Sequence, residues 1–188
     1  MTSSFVQHKY NVDSLVDKVK NIPEEEWNSF TIRQKKYRVH SNTLTIPIIF
    51  NGVSNGRILD SLETYPMYEL FKGEISNLES FLNNLIGAEG SIVRAALVAL
   101  EPNTEIPTHR DLAEHFKYTR RFHLPLVTND KVYFWIDGKT VNMKVGEVWE
   151  INNMLSHSVR NESNEKRIHL IVDWKDNINN IQPPNLSV

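Results

Sequence analysis

The 188-residue chain has no cysteine. That excludes disulfides, thiolate catalysis and cysteine-based zinc sites, and it leaves His, Asp and Glu as the side chains able to hold a metal. It has no surplus of either charge, with 21 Lys and Arg against 23 Asp and Glu for a formal −2. Nucleic acid and anionic membranes call for a clustered basic surface, so neither is expected as a partner. No stretch reaches the ~18 consecutive apolar residues of a membrane span, and residues 1–10 show no basic segment leading into an apolar core. Neither a span nor a signal peptide is predicted, and a cytoplasmic, reducing compartment is the expectation. Glycine and proline are few, at seven and eight, with 40% hydrophobic and 23% charged residues, the composition of an ordinary globular chain rather than a disordered one. No internal repeat is visible, and the oligomeric state is not legible.

What is present changes character near residues 87–90. Before that point the pattern is helical with some extended stretches. Asp13 can cap a helix running to Ile22, with Leu15, Val16 and Val19 on one face and Pro23 ending it. Residues 43–50 are β-branched and apolar, the composition of a strand. From 67 to 86, Leu70, Phe71, Ile75, Leu78, Phe81, Leu82 and Leu85 recur at helical spacing, interrupted by Gly73, so one or two packed helices follow. After Gly90 come short runs rich in Val, Ile, Phe, Tyr and Trp at 91–100, 121–128, 131–136, 145–151, 157–160 and 168–174, separated by turn signals such as Asn129-Asp130 and Asp137-Gly138. Regular short strands of this kind predict a mainly β protein with helices (α+β), a jelly roll or double-stranded β-helix of cupin type backed by N-terminal helices. One domain is expected over 1–188, with a helical and extended support region at 1–90, the β-helix core at 91–175 and a tail at 176–188.

The informative polar residues lie in the β half. His109 and Asp111 stand two apart in a stretch that reads as extended, so their side chains point to one side. His157 opens a strand about where a jelly roll returns to the same end of its barrel. Two imidazoles and one carboxylate on one face leave coordination positions open, as in non-haem iron(II) sites that hold a bidentate co-substrate and O₂. Any one of these histidines, taken alone, reads more readily as a structural or solvent-exposed residue; the combination is what points to a metal. Arg167 begins an otherwise apolar strand: either its guanidinium faces the barrel interior and grips a carboxylate, or it is an exposed strand-start residue beside Glu165. Arg121 and His123 share one face of their strand by period-2 geometry, and His123 alone reads equally as a hydrogen-bonded core residue. Trp135, Trp149 and Trp174 read as core aromatics, and Arg33, Lys35, Lys36, Arg38 and His40 as a solvated face.

The segments LEPNTEIPTHRD, RRFHLPLV, GEVWEINNMLSHSVRN and RIHLIVDW together resemble the aspartyl/asparaginyl β-hydroxylase family, which includes bacterial hydroxylases of free amino acids such as proline. The likeness spans residues 92–174 in order and spacing. The resemblance implies a double-stranded β-helix, iron(II), with 2-oxoglutarate and O₂ as co-substrates, and hydroxylation of an unactivated carbon. Position by position, His109 and His157 match the metal histidines, Arg167 matches the arginine for the far carboxylate of 2-oxoglutarate, and Arg121 and His123 match a pair placed around co-substrate and substrate.

Two departures matter. Asp111 stands where the protein-modifying members of the family carry glycine, which places this chain nearer the small amino-acid hydroxylases. Val98 stands where those members have a serine assisting 2-oxoglutarate, so that contact is missing or comes from another residue such as Thr108 or Arg94. The leading expectation is a hydroxylase of a free amino acid or similar small molecule. The alternatives are β-hydroxylation of Asp or Asn in a protein or peptide, and a non-catalytic cupin-like binding protein.

Overall fold

The period-2 patterning of the second half builds two antiparallel sheets in the computed structural model, which describes residues 5–31, 38–54, 57–58 and 63–177. In chain order the elements are β1 (Phe5–Lys9), α1 (Asp13–Lys20), α2 (Glu24–Ser29), a 3₁₀ turn (Arg38–His40), β2 (Thr43–Phe50), β3 (Val53–Ser54), β4 (Arg57–Ile58), α3 (Tyr68–Ile86), β5 (Gly90–Leu100), β6 (Thr104–His109), a 3₁₀ helix (Glu114–Tyr118), β7 (Arg120–Val127), β8 (Val132–Ile136), β9 (Lys139–Val141), β10 (Glu147–Ile151), β11 (His157–Asn161) and β12 (Arg167–Asp176). The major sheet has the order β1-β10-β7-β12-β5-β2, the minor sheet β6-β11-β8-β9, and β3 pairs with β4 alone. This is the double-stranded β-helix that the sequence predicts.

Alternation on the strands decides which layer each side chain enters. On β12, Ile168, Leu170, Val172 and Trp174 face outward. There they join Leu97, Phe122, Leu124 and Val148 under Leu15 and Val19 of α1, Trp27 of α2 and Phe71, Ile75, Leu78 and Leu82 of α3. The inner faces of the two sheets enclose a second core of Leu100, Ile106, Phe134, Ile136, Trp149, Ile151 and Val159. Each fully buried large side chain of this kind contributes ~1.5–3 kcal/mol. Asn161 is fully buried and ties the turn before β12: its amide donates to the carbonyls of Leu100, Glu101 and Glu165, and its oxygen accepts from the Ser163 N–H and hydroxyl. Asp137 and Gly138 take left-handed φ values of 46° and 79° and close the β8–β9 hairpin, the conformation that favours an Asp-Gly pair in a two-residue turn. Gly90 is required for another reason: a Cβ there would lie 2.0 Å from the Trp174 ring.

Several sequence expectations change. Gly73 does not break the helix: α3 runs unbroken through it and ends at Gly87 in a left-handed cap, because packing of its apolar face outweighs the ~1 kcal/mol that glycine costs. Asp13 is the first helical residue rather than the cap; Asn11 Oδ1 accepts its N–H at 2.9 Å, and α1 stops at Lys20. The support region is also more than a backing layer, since β1 and β2 form the two edges of the major sheet. Arg33, Lys35 and Lys36, and the tail from 178 on, lie outside the described residues. Among the described residues no helix is long and apolar enough to cross a membrane.

Candidate metal centre

β6 and β11 are antiparallel neighbours whose register sets His109 directly across from His157, with ring centres 4.3 Å apart. Each ring is turned by a carbonyl two residues back: His109 Nδ1 lies 2.8 Å from the Pro107 oxygen and His157 Nδ1 2.9 Å from the Leu155 oxygen. A carbonyl only accepts, so each Nδ1 carries the proton and each Nε2 keeps a lone pair for a metal. Asp111 sits just beyond β6 rather than within a strand, and its N–H donates to the Asn153 carbonyl at 2.9 Å. Its Oδ2 accepts from Arg121 Nη1 at 2.6 Å and from the Asn153 amide at 3.0 Å. Oδ1 lies 3.9 Å from His109 Nε2. One ligand atom from each of His109, Asp111 and His157 falls within 4.8 Å of the others.

The electrostatics suit a cation. Burial pushes the Asp111 carboxyl up, but Arg121, the Asn153 amide and the two histidines outweigh it and hold the group below the usual carboxylate range. Burial pulls His157 below its ordinary value, with the Leu155 carbonyl opposing and His109 adding to the effect. A charged carboxylate beside a neutral imidazole is the protonation state that metal binding requires.

Arg121, expected around the co-substrate and substrate, is engaged by two carboxylates of the chain itself. Its Nε and Nη2 grip the Asp173 carboxylate at 2.7 and 2.9 Å while Nη1 holds Asp111, and its guanidinium stacks 4.5 Å above the Phe116 ring. The side chain thus supports a candidate ligand, because the buried Asp173 carboxylate and the half-buried Asp111 carboxylate engage its fork. Asp173 and Asn153 are the supporting residues that the sequence did not reveal. Beside Asp173 on β5, Arg94 lies 4.4 Å over the Phe50 ring and places Nη1 2.8 Å from His115 Nε2. Burial, then Arg94, draws the His115 pKa down to about 4, so the imidazole is neutral and accepts. Thr108 is exposed on β6.

Deeper in the barrel, Arg167 is 1% exposed and its Nη2 lies 2.6 Å from His169 Nδ1. Its Nε has no hydrogen-bond partner, and among the described residues it forms no ion pair. Burial alone brings its pKa down to about 9. A row of rings joins this guanidinium to the metal face. His157 stacks with Phe134 at 6.1 Å, Phe134 meets His123 edge-on at 5.7 Å, and His123 meets His169 at 5.8 Å. His123 is buried within this row; the sequence did not single out His169. A two-histidine, one-carboxylate face suits iron(II), and a buried guanidinium lacking an anion suits one end of a dicarboxylate. The residues present therefore fit both groups that the resemblance implies.

A double-stranded β-helix with a His-Asp-His cluster able to hold a metal and a buried arginine behind it defines the class. The model of the aspartyl/asparaginyl β-hydroxylase family matches residues 73–177, more than half of the chain. The chain belongs to that family. It is 33% identical over 98 residues to an L-proline cis-4-hydroxylase from Rhizobium meliloti (strain 1021); the aligned stretch is 50% of this chain and only 35% of that relative. Its fold is similar to that of a viral collagen prolyl hydroxylase from Paramecium bursaria Chlorella virus-1, with TM-score 0.59 and 10% identity over 93% of this chain and 96% of the other. It is also similar to an oxidoreductase of the 2OG-Fe(II) oxygenase family from Burkholderia pseudomallei, with TM-score 0.56 and 18% identity over 71% and 66%.

Proposed function

We propose that the protein is an iron(II)- and 2-oxoglutarate-dependent hydroxylase of a free amino acid or a similar small molecule, working in the cytoplasm. The observation that carries this reading is the pairing of a His109–Asp111–His157 face with the buried, anion-free guanidinium of Arg167 in one barrel. His109 Nε2, His157 Nε2 and Asp111 Oδ1 are the atoms that would hold iron(II). Arg121 and the Asn153 amide orient Asp111 and leave it one ligand oxygen. Arg167 takes the far carboxylate of 2-oxoglutarate, and His123 lies between the two ends as a co-substrate contact.

When bound, iron(II) and 2-oxoglutarate supply the oxidising chemistry: O₂ and 2-oxoglutarate give succinate and CO₂, and the second oxygen atom enters a substrate C–H bond as hydroxyl. The chain's own contribution is orientation and exclusion of water, through the rings of His157, Phe134, His123 and His169 that wall the interior. The likeness to a proline hydroxylase and the carboxylate at position 111 support a small substrate over a peptide.

The test is succinate formation followed by NMR, with iron(II), 2-oxoglutarate and O₂, across free amino acids and Asp- or Asn-containing peptides, using His157→Ala as control. Stimulation by one free amino acid, absent in the control, is the expected result. Stimulation by peptides alone would replace the small-molecule reading. No turnover together with no metal-dependent 2-oxoglutarate binding would leave a cupin-like binding protein.

A further inference from the structure

His169 is 1% exposed on the inner face of β12, two residues from Arg167 and on the same side of the strand. Its Nδ1 lies 2.6 Å from Arg167 Nη2. A guanidinium only donates, so Nδ1 accepts and the ring proton resides on Nε2. That Nε2–H is buried and has no partner, and the same holds for the Nε–H of Arg167. Two N–H donors on this bonded pair of side chains, both shut away from water and both unanswered, call for an acceptor. Burial first, then the charge of Arg167, holds the imidazole well below its ordinary pKa, so it stays a neutral donor. Directly across the ladder on β5, the residue paired with His169 is Val98, which is buried and offers no donor of its own.

We infer that His169 is a co-substrate-binding residue: it fixes the Arg167 fork through Nδ1 and offers Nε2–H to the far carboxylate of 2-oxoglutarate, supplying from β12 the contact that Val98 cannot make from β5. This rests on the proposed oxygenase reading and adds to it a second residue, beside Arg167, that selects a dicarboxylate over a simple 2-oxo acid.

The test measures equilibrium binding without O₂ by calorimetry, with iron(II) and either 2-oxoglutarate or 2-oxopentanoate, which has the same chain length but no far carboxylate. His169→Phe and His169→Leu each remove both nitrogens, and His169→Gln keeps an acceptor and a donor. The expected result is a loss of about 10- to 100-fold in 2-oxoglutarate affinity for Phe and Leu, the size of one hydrogen bond to a charged group, with 2-oxopentanoate unchanged. His169→Gln should stay within about 3-fold of the parent, and Val98→Ser should restore part of the affinity to His169→Leu by placing a hydroxyl opposite. Unchanged 2-oxoglutarate affinity in Phe and Leu would overturn the inference, as would an equal loss for both 2-oxo acids, which would mark His169 as packing only. Absence of iron-dependent 2-oxoglutarate binding in the unsubstituted protein is a different failure, since it removes the oxygenase reading itself.

Discussion

Arg121 spends two nitrogens on Asp173, at 2.7 and 2.9 Å, and only the third, at 2.6 Å, on the candidate ligand Asp111. Asp173 is 1% exposed, so the arginine is anchored from behind and Asp111 is held by one oxygen. Asp173→Asn removes the anchor's charge while keeping its shape. It should weaken iron(II) binding by about 10- to 100-fold, the usual size of such supporting contacts. Stability should fall by ~3–5 kcal/mol, because a buried charge loses its partner. Metal titration and urea unfolding read the two effects separately; unchanged metal affinity would assign the orientation of Asp111 to Asn153 alone.

Arg167 carries a cost in the ligand-free protein, since burial without an anion already lowers its pKa to about 9. Arg167→Met replaces a buried cation with an apolar chain of similar length. It should raise the melting temperature of the ligand-free protein, in line with the ~1–4 kcal/mol seen when buried charges give way to apolar residues. The same substitution should abolish 2-oxoglutarate binding. A lower melting temperature would mean that the guanidinium is satisfied without an anion.

Acid should destabilise the protein in a defined window. His115 has a pKa of about 4 in the fold against an ordinary value of 6.5, and His169 and His157 are shifted in the same direction. Between those values the unfolded chain takes up the proton and the folded chain does not, so these histidines make stability fall as pH drops from about 6.5 towards 4 and add no slope above 6.5. Urea midpoints measured across that range should show this slope. His115→Gln, which can still accept from Arg94, should make it shallower.

Asn161→Ala should cost several times the ~1 kcal/mol of a typical hydrogen bond, because one buried amide serves three carbonyls and a serine. Denaturant unfolding checks this. Because Asn161 ends β11 and braces the turn into β12, the variant should also lose 2-oxoglutarate affinity, with His157 and Arg167 no longer fixed relative to each other.

Strands such as β8 and β12 were legible because alternation and β-branching mark a pleated, half-buried surface directly. His109, Asp111, His157 and Arg167 were legible because their residue types and spacing are unusual for a barrel interior. The edge strand β1 was not: its five residues carry a weak pattern, and its partner β10 lies far along the chain. The partnership of Arg121 with Asp173 was hidden for a similar reason, since 52 residues separate them and only the β7–β12 register brings them together. His169 stands inside an apolar run, where a core histidine and a binding histidine read alike until the contact with Arg167 is seen.

The strict alternation on β12 also sets its tolerance to change in length. Arg167, His169 and Asp173 occupy one parity of the strand, and Ile168, Leu170, Val172 and Trp174 the other. A one-residue insertion or deletion in the turn at 162–166 that slipped the strand by one position would turn these three polar groups into the helix layer and the four apolar ones into the barrel. Loop length at this turn is therefore under a parity constraint: single-residue indels should be lethal to the fold, and two-residue changes are the ones that leave each side chain in its own layer.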